Sequence, residues 1–223
     1  MDEEFRPAER AHNGLLAKIE KRALVWIAVR IPAFINPDHL TALGFASLAG
    51  VGLAYWYSRY SALGLGLAIL FLALNWLGDS LDGTLARVRN RQRPRYGFYL
   101  DHVLDACGSV FIFAGLALSG YMSERIAVGL MVVYLLLSIE TYLATYTVGT
   151  FHLSFAAFSP TELRLLLIAG NLALVFQPVV RFGTKQFLLF DVGGVIGIAG
   201  IGVAFVWSLA KHVTLLYRAE PLS

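Results

Sequence analysis

The sequence predicts an all-α integral membrane protein, with six transmembrane helices preceded by an N-terminal amphipathic interfacial helix. Three observations carry that expectation. Apolar residues fill 57% of the 223 positions and charged residues only 15%, and the apolar ones gather in runs long enough to cross a bilayer. Lysine and arginine are spread unevenly between the connections, as the positive-inside rule requires of a membrane protein with a fixed orientation. Ahead of the first long run lies a basic helical segment with a tryptophan, too charged to span. The lone cysteine, Cys107, excludes an intrachain disulfide and a zinc–thiolate site, and is expected to pack as a small apolar residue.

Taken in order, residues 1–38 form a cytoplasmic N-terminus and the interfacial helix. Met1-Asp2-Glu3-Glu4 is acidic and polar, and no removable signal peptide is expected behind it. Across 14–30, Leu15, Leu16, Ile19, Leu24, Trp26 and Ile27 alternate with Lys18, Glu20, Lys21, Arg22 and Arg30 at helical spacing. Such a helix lies along anionic head groups. Pro32 and Pro37 bracket a break, and Asn36-Pro37-Asp38-His39-Leu40-Thr41 supplies a turn and a cap. Residues 39–210 then form a six-helix transmembrane domain. Its spans are expected near 39–56, 62–87, 96–118, 125–145, 160–176 and 187–209, with 211–223 left as a cytoplasmic tail. With the N-terminus inside, fourteen of the lysines and arginines fall on the inner side and four on the outer. The protein is thus placed in the membrane (the inner membrane of a bacterial cell), with the ends of the second and third spans that carry its acids facing the cytoplasm.

Those ends are the unusual part of the chain. Asp79-Ser80-Leu81-Asp82-Gly83-Thr84-Leu85-Ala86-Arg87 closes the second span, and Gly97-Phe98-Tyr99-Leu100-Asp101-His102-Val103-Leu104-Asp105 opens the third. Asp79 and Asp82 are three apart and Asp101 and Asp105 four apart, so on helices each pair shares a face. Two such helices side by side aim four carboxylates at one cavity, where they repel unless cations lie between them. A carboxylate at a span centre costs roughly 2.5 kcal/mol or more, and less toward the interface. Four at this spacing point to metal binding, and all-oxygen ligands favour Mg2+ or Mn2+ over zinc or copper. Such ions can grip a phosphate and polarise its entering and leaving oxygens. The alternative is a set of helix-end acids paired with the arginines between the spans. Gly83, Ala86 and Gly97 allow a ligand or a neighbouring helix close to the backbone. Arg87 offers a planar fork for phosphate or carboxylate.

The pattern Asp79-x-x-Asp82-Gly83-x-x-Ala86-Arg87, nine residues, Gly97-x-x-x-Asp101-x-x-x-Asp105 resembles the signature of the CDP-alcohol phosphotransferase family, with all eight positions filled. The resemblance implies a divalent-metal-dependent transferase of phospholipid synthesis. It would move a substituted phosphate from a CDP-linked donor to an alcohol and release CMP, one of the two substrates being a lipid. By the same resemblance Asp79, Asp82 and Asp101 would hold the metal and Asp105 would complete the site and serve as the candidate base. Gly83, Ala86, Arg87 and Gly97 would serve the CDP and its phosphates, and the protein would be a homodimer. CDP-diacylglycerol is the expected donor. The Leu100-Asp101-His102 wording also resembles the branch that joins a CDP-amino alcohol of the ethanolamine or choline type to diacylglycerol, with His102 as a candidate base; an ordinary helix-end histidine is the alternative.

Ser159-Pro160-Thr161-Glu162 opens the fifth span, where an acid is favoured by the helix dipole. Glu162 and Arg164 are candidate contacts for an acceptor or head group, against simple helix anchoring. Glu140 lies deep in the fourth span and needs a partner, and Asp191 is expected to be structural. The arginines at 87, 89, 91, 93 and 95 are read as anchors to anionic lipid, and no nucleic acid is expected on a loop pressed against the bilayer. Gly193, Gly194, Gly197, Gly200 and Gly202 read as a helix-packing surface. A cation transporter is the competing function class, but the acids gather at one membrane face and no inverted repeat is evident.

Overall fold

The computed structural model describes residues 17–148 and 160–220. Seven helices and one β-hairpin follow in order: α1 (Ala17–Ala28), α2 (Pro37–Ser58), α3 (Leu63–Val88), α4 (Pro94–Ser119), α5 (Glu124–Val148), α6 (Pro160–Phe176), β1 (Val179–Phe182), β2 (Lys185–Leu188) and α7 (Leu189–Ala219). Five of the helices, α2 to α5 and α7, are long and apolar enough to cross a membrane. With their outward apolar side chains exposed, such as Val132 and Leu136 on α5 and Val203 and Val206 on α7, they mark an integral membrane protein. The 17 residues of α6 rise about 26 Å, somewhat short of the ~30 Å hydrocarbon core. Five spans therefore stand on length and composition, with α6 as a shorter apolar helix beside them.

Close backbone approach sets how the helices lie. At one end of the α2–α3 pair Gly78 faces Gly44, and a Cβ on Gly78 would stand 2.6 Å from the Gly44 nitrogen and the Leu40 oxygen. At the other end Gly64 meets Ser58, so the two helices run antiparallel in contact along their length. On another face of α2, Leu48 packs at Gly108 and Gly52 at Gly115, which makes α4 parallel to α2. The α5–α7 pair is parallel too: Ile126 fills the space at Gly194 and Ile198 the space at Gly129. Of the glycine-rich surface expected on the last span, Gly194 and Gly197 pack on α5. Gly193, Gly200 and Gly202 have open space where a Cβ would be, as far as the described residues go.

Two apolar clusters fill the bundle. One, around Val51, Tyr55, Leu65, Leu72, Leu116 and Leu174, joins α2, α3, α4 and α6. The other, Leu24 and Ala28 of α1 with Leu40, Leu81 and Leu85, docks the short basic helix on α2 and α3. The outward side of α1 exposes Val25 and Trp26, and Val29 just past its end is exposed too, with the Arg30 guanidinium 3.9 Å from the Trp26 ring centroid.

A hairpin precedes the last helix and takes the first two residues, 187 and 188, of the range expected for the last span. Val179–Phe182 pairs antiparallel with Lys185–Leu188 around the two-residue turn Gly183-Thr184, and Gly183 takes φ +61°, a conformation glycine adopts without strain. The last helix therefore begins at Leu189, and it continues to Ala219, so most of the expected tail from 211 is helical. Asp191 is structural as expected: the Ser123 backbone N–H donates to it at 2.6 Å, tying the start of α7 to the α4–α5 turn.

The arginine-rich connection departs from its expected lipid-facing role at two positions. Arg89 turns inward and donates to the carbonyls of Ile31 (2.8 Å), Pro32 (3.0 Å) and Ile35, closing the α1–α2 loop. Arg93 pairs with Asp38 and lies over the Tyr96 ring, 4.1 Å from its centroid. Loop carbonyls lacking a helical partner need donors, and a five-donor guanidinium serves several at once. Cys107 also departs from expectation: it is exposed on α4 rather than packed.

Candidate active site

The end of the bundle beneath α1 opens into a cleft between α2, α3 and α4. It holds about 270 Å³ of empty space, its open mouth included. Its walls are Thr41, Gly44, Phe45 and Leu48 of α2, Asn75, Asp79 and Asp82 of α3, and Asp101, Leu104 and Asp105 of α4. The helical spacing explains the convergence. Asn75, Asp79 and Asp82 fall at i, i+4 and i+7 on α3, and Asp101 and Asp105 are one turn apart on α4. The Gly44–Gly78 contact brings α2 and α3 close enough for side chains of α2 to reach those acids.

Each acid of α3 is held by a donor from another helix. The Thr41 hydroxyl donates to Asp82 Oδ2 at 2.7 Å, and the Gly83 backbone N–H donates to Asp82 Oδ1. Asp82 is buried, so these bonds offset the loss of water around its carboxylate. Asp79 Oδ2 accepts from Arg164 Nη2 at 2.6 Å, while Arg164 Nε donates to Asn75 Oδ1 at 2.8 Å. Asn75 is itself fixed, its amide donating to the Gly44 carbonyl at 3.0 Å. Asp101 and Asp105 supply the opposite wall.

The structure thus brings Asp79, Asp82, Asp101 and Asp105 onto one cleft, with Arg164 of α6 bonded to two of its wall residues, Asp79 and Asn75, without being one of them. It does not bring in the rest of the expected site. Gly83, Ala86, Arg87 and Gly97 lie outside the cleft wall. Arg87 Nη2 donates to Thr84 Oγ1 at 3.0 Å, its guanidinium lying just over Gly83; Gly97 faces open space. His102 also lies outside the wall: its Nδ1 is 2.6 Å from the Phe98 carbonyl, and its ring packs against Phe98 and edge-on to Tyr142. The Glu162 side chain falls outside the described residues. Glu140, which needed a partner, has two: Ser208 donates to Oε2 at 2.8 Å and His212 Nδ1 lies 2.6 Å from Oε1, all between α5 and α7 and away from the cleft.

Sequence reasoning missed Thr41, Asn75 and the role of Glu20. An asparagine in the middle of an apolar span was a signal, because a buried amide needs partners. Glu20 Oε1 accepts from Trp76 Nε1 at 2.8 Å and from Thr161 Oγ1 at 3.0 Å, linking α1, α3 and α6 beside the cleft.

The donor set of the cleft is all oxygen and anionic, which suits a hard divalent cation rather than a thiophilic one. Among the described residues, no three His, Cys, Asp or Glu side chains are already drawn into a metal cluster. The acids line the cleft without closing on a common point, and one of them, Asp79, is occupied by Arg164.

Comparison with known proteins gives a family and a fold. Residues 34–209 match the family model described as CDP-alcohol phosphatidyltransferase. Among solved structures, the crystal structure of Mycobacterium tuberculosis phosphatidylinositol phosphate synthase with CDP-DAG bound shares the fold, at TM-score 0.58 and 18% identity, over 88% of this chain and 94% of that one. No curated protein sequence matches the chain.

Proposed function

This chain belongs to the CDP-alcohol phosphatidyltransferase family, and from that premise we propose that it synthesises a membrane phospholipid. It moves a substituted phosphate from a CDP-linked donor to an alcohol and releases CMP. The observation that carries the proposal is the meeting of Asp79, Asp82, Asp101 and Asp105 on one cleft at one end of an apolar bundle. That end faces the cytoplasm in this reading, by the lysine and arginine bias, with α6 as a sixth span and α1 lying along the interface. The protein works as a homodimer.

In the proposed reaction the acceptor hydroxyl oxygen bonds to the phosphorus that carries the donor's lipid or alcohol group. The bond from that phosphorus to the CMP oxygen breaks, and CMP leaves with the electron pair. Asp105 takes the hydroxyl proton; it stands on the α4 wall across from the α3 acids, where it can reach an acceptor without displacing them. Asp79, Asp82 and Asp101, completed by Asp105, would hold Mg2+ or Mn2+. When bound, such a cation stabilises negative charge growing on phosphate and leaving oxygen. Thr41 and the Gly83 N–H keep the Asp82 carboxylate aimed, and Asn75 keeps Arg164 at the cleft. Arg87, whose guanidinium lies over Gly83, is the proposed contact for the CDP phosphates, with Gly83, Ala86 and Gly97 proposed to serve the same ligand.

CDP-diacylglycerol is the proposed donor, a choice supported by the lipid donor named for the M. tuberculosis structure of the same fold. The alternative pairing of a CDP-amino alcohol with diacylglycerol leaned on His102, which is not among the cleft-wall residues, and on Glu162, whose side chain falls outside the described residues. A panel of radiolabelled CDP donors and alcohol acceptors, offered to the purified protein with the lipid products identified, tests the reaction and the donor together. Lipid product from CDP-diacylglycerol supports the proposal. Product only from CDP-ethanolamine or CDP-choline with diacylglycerol replaces the donor, and no product from any pair refutes the transferase.

A further inference from the structure

The wall of the acid cleft is bonded to a cation of its own chain. Arg164 reaches in from α6, with Nη2 2.6 Å from Asp79 Oδ2 and Nε 2.8 Å from Asn75 Oδ1. Asn75 is 2% exposed and bound to the Gly44 carbonyl, so the guanidinium rests on a fixed amide through Nε while Nη2 holds the carboxylate. A planar fork seated on two partners is well ordered in a way a single surface ion pair is not. Its base is tethered too. Thr161, one turn earlier on α6, donates to Glu20, which also accepts from Trp76.

Asp79 Oδ2 is therefore committed to Arg164, and the four acids are not drawn together into a cluster. A divalent cation cannot take that oxygen while the guanidinium sits on it, because the two positive charges repel at contact distance. We propose that Arg164 and a divalent cation compete for Asp79 Oδ2, the guanidinium leaving that oxygen when a donor phosphate offers it another partner. The inference deepens the function proposed above and rests on its divalent-cation site. With α6 held by Thr161 and Glu20, the exchange is a swing of the Arg164 side chain rather than a movement of the helix. Phosphate ligand and cation then bind cooperatively, each tightening the other through the release of Arg164 from Asp79.

The test is Mn2+ binding to the purified full-length chain in detergent, followed by electron paramagnetic resonance, with and without CDP. Without nucleotide, Arg164→Gln is expected to bind Mn2+ at least about five-fold more tightly than the unsubstituted protein. CDP is expected to tighten Mn2+ binding less in Arg164→Gln than in the unsubstituted protein. Arg164→Lys keeps the charge but loses the two-point fork, and so covers a failure of the glutamine variant to fold; its Mn2+ affinity is expected between the other two. Equal or weaker Mn2+ binding in the variants overturns the exchange alone. If neither the unsubstituted protein nor a folded variant binds Mn2+, the exchange falls together with the divalent-cation site.

Discussion

The hydroxyl of Thr41 on α2 donates to the carboxylate of Asp82 on α3 at 2.7 Å, near the end of the interface where Gly44 and Gly78 meet. The bond fixes which way a buried carboxylate of the cleft points. A hydrogen bond to a charged group contributes about 1.5–3 kcal/mol, and every 1.4 kcal/mol is about a tenfold change. Thr41→Val keeps the shape and removes the donor, so CMP release is expected to fall about tenfold or more, while Thr41→Ser restores most of it. Turnover and thermal melting measured together separate loss of aim from loss of fold. Equal turnover for the valine and serine variants would show that this bond does not orient Asp82.

The Gly78–Gly44 contact makes a second expectation. A methyl group on Gly78 would stand 2.6 Å from backbone atoms of α2, which cannot swing aside as a side chain can. Gly78→Ala must push α2 and α3 apart at the level of Asp79, Asp82 and Thr41. The expected cost is about 1–3 kcal/mol of stability, together with loss of CMP release. Ala substitution at Gly97, where a Cβ meets open space, is the control and should melt like the unsubstituted protein.

How far the sequence alone carried depends on which residues announce themselves. Asp79, Asp82, Asp101 and Asp105 are legible because a charge in an apolar run is unusual and helical spacing forces a shared face. Thr41 is not: one hydroxyl near a helix start looks like a cap, and only the α2–α3 approach turns it toward Asp82. Arg164 was legible as a candidate but not as the partner of Asp79, since a contact between positions 79 and 164 depends on where α6 docks. The hairpin at 179–188 was written in Gly183-Thr184 between two short β-prone runs. The apolar helix behind it masked that signal, so the last span was begun too early. Arg89 and Arg93 read as lipid anchors because sequence shows the charge of a loop but not the partners it folds against, loop carbonyls for Arg89 and the Asp38 carboxylate for Arg93.

The Glu140–Ser208–His212 group makes a third expectation, away from the chemistry. Glu140 and Ser208 are buried between α5 and α7, and His212 is nearly so. Glu140→Ala leaves both partners without their acceptor and is expected to cost about 1–3 kcal/mol. Glu140→Gln keeps an oxygen for Ser208 and should lose less. Detergent-dependent thermal unfolding measures both, and an alanine variant as stable as the unsubstituted protein would mean that the network does not hold α5 to α7. Turnover per folded molecule should change little in either variant, because none of these side chains lines the cleft.

The most direct measurement on the central claim is CMP release from CDP-diacylglycerol by the purified protein with a mixture of alcohol acceptors, compared with Asp105→Asn and with a chelated sample. The unsubstituted protein is expected to release CMP when Mg2+ or Mn2+ is supplied. Asp105→Asn should fold normally yet release it about 10²–10⁴-fold more slowly, and chelation should stop the reaction in both. CMP release by Asp105→Asn at the unsubstituted rate, or cation flux through reconstituted vesicles with no CMP formed, would contradict the claim that this acid cleft transfers phosphate.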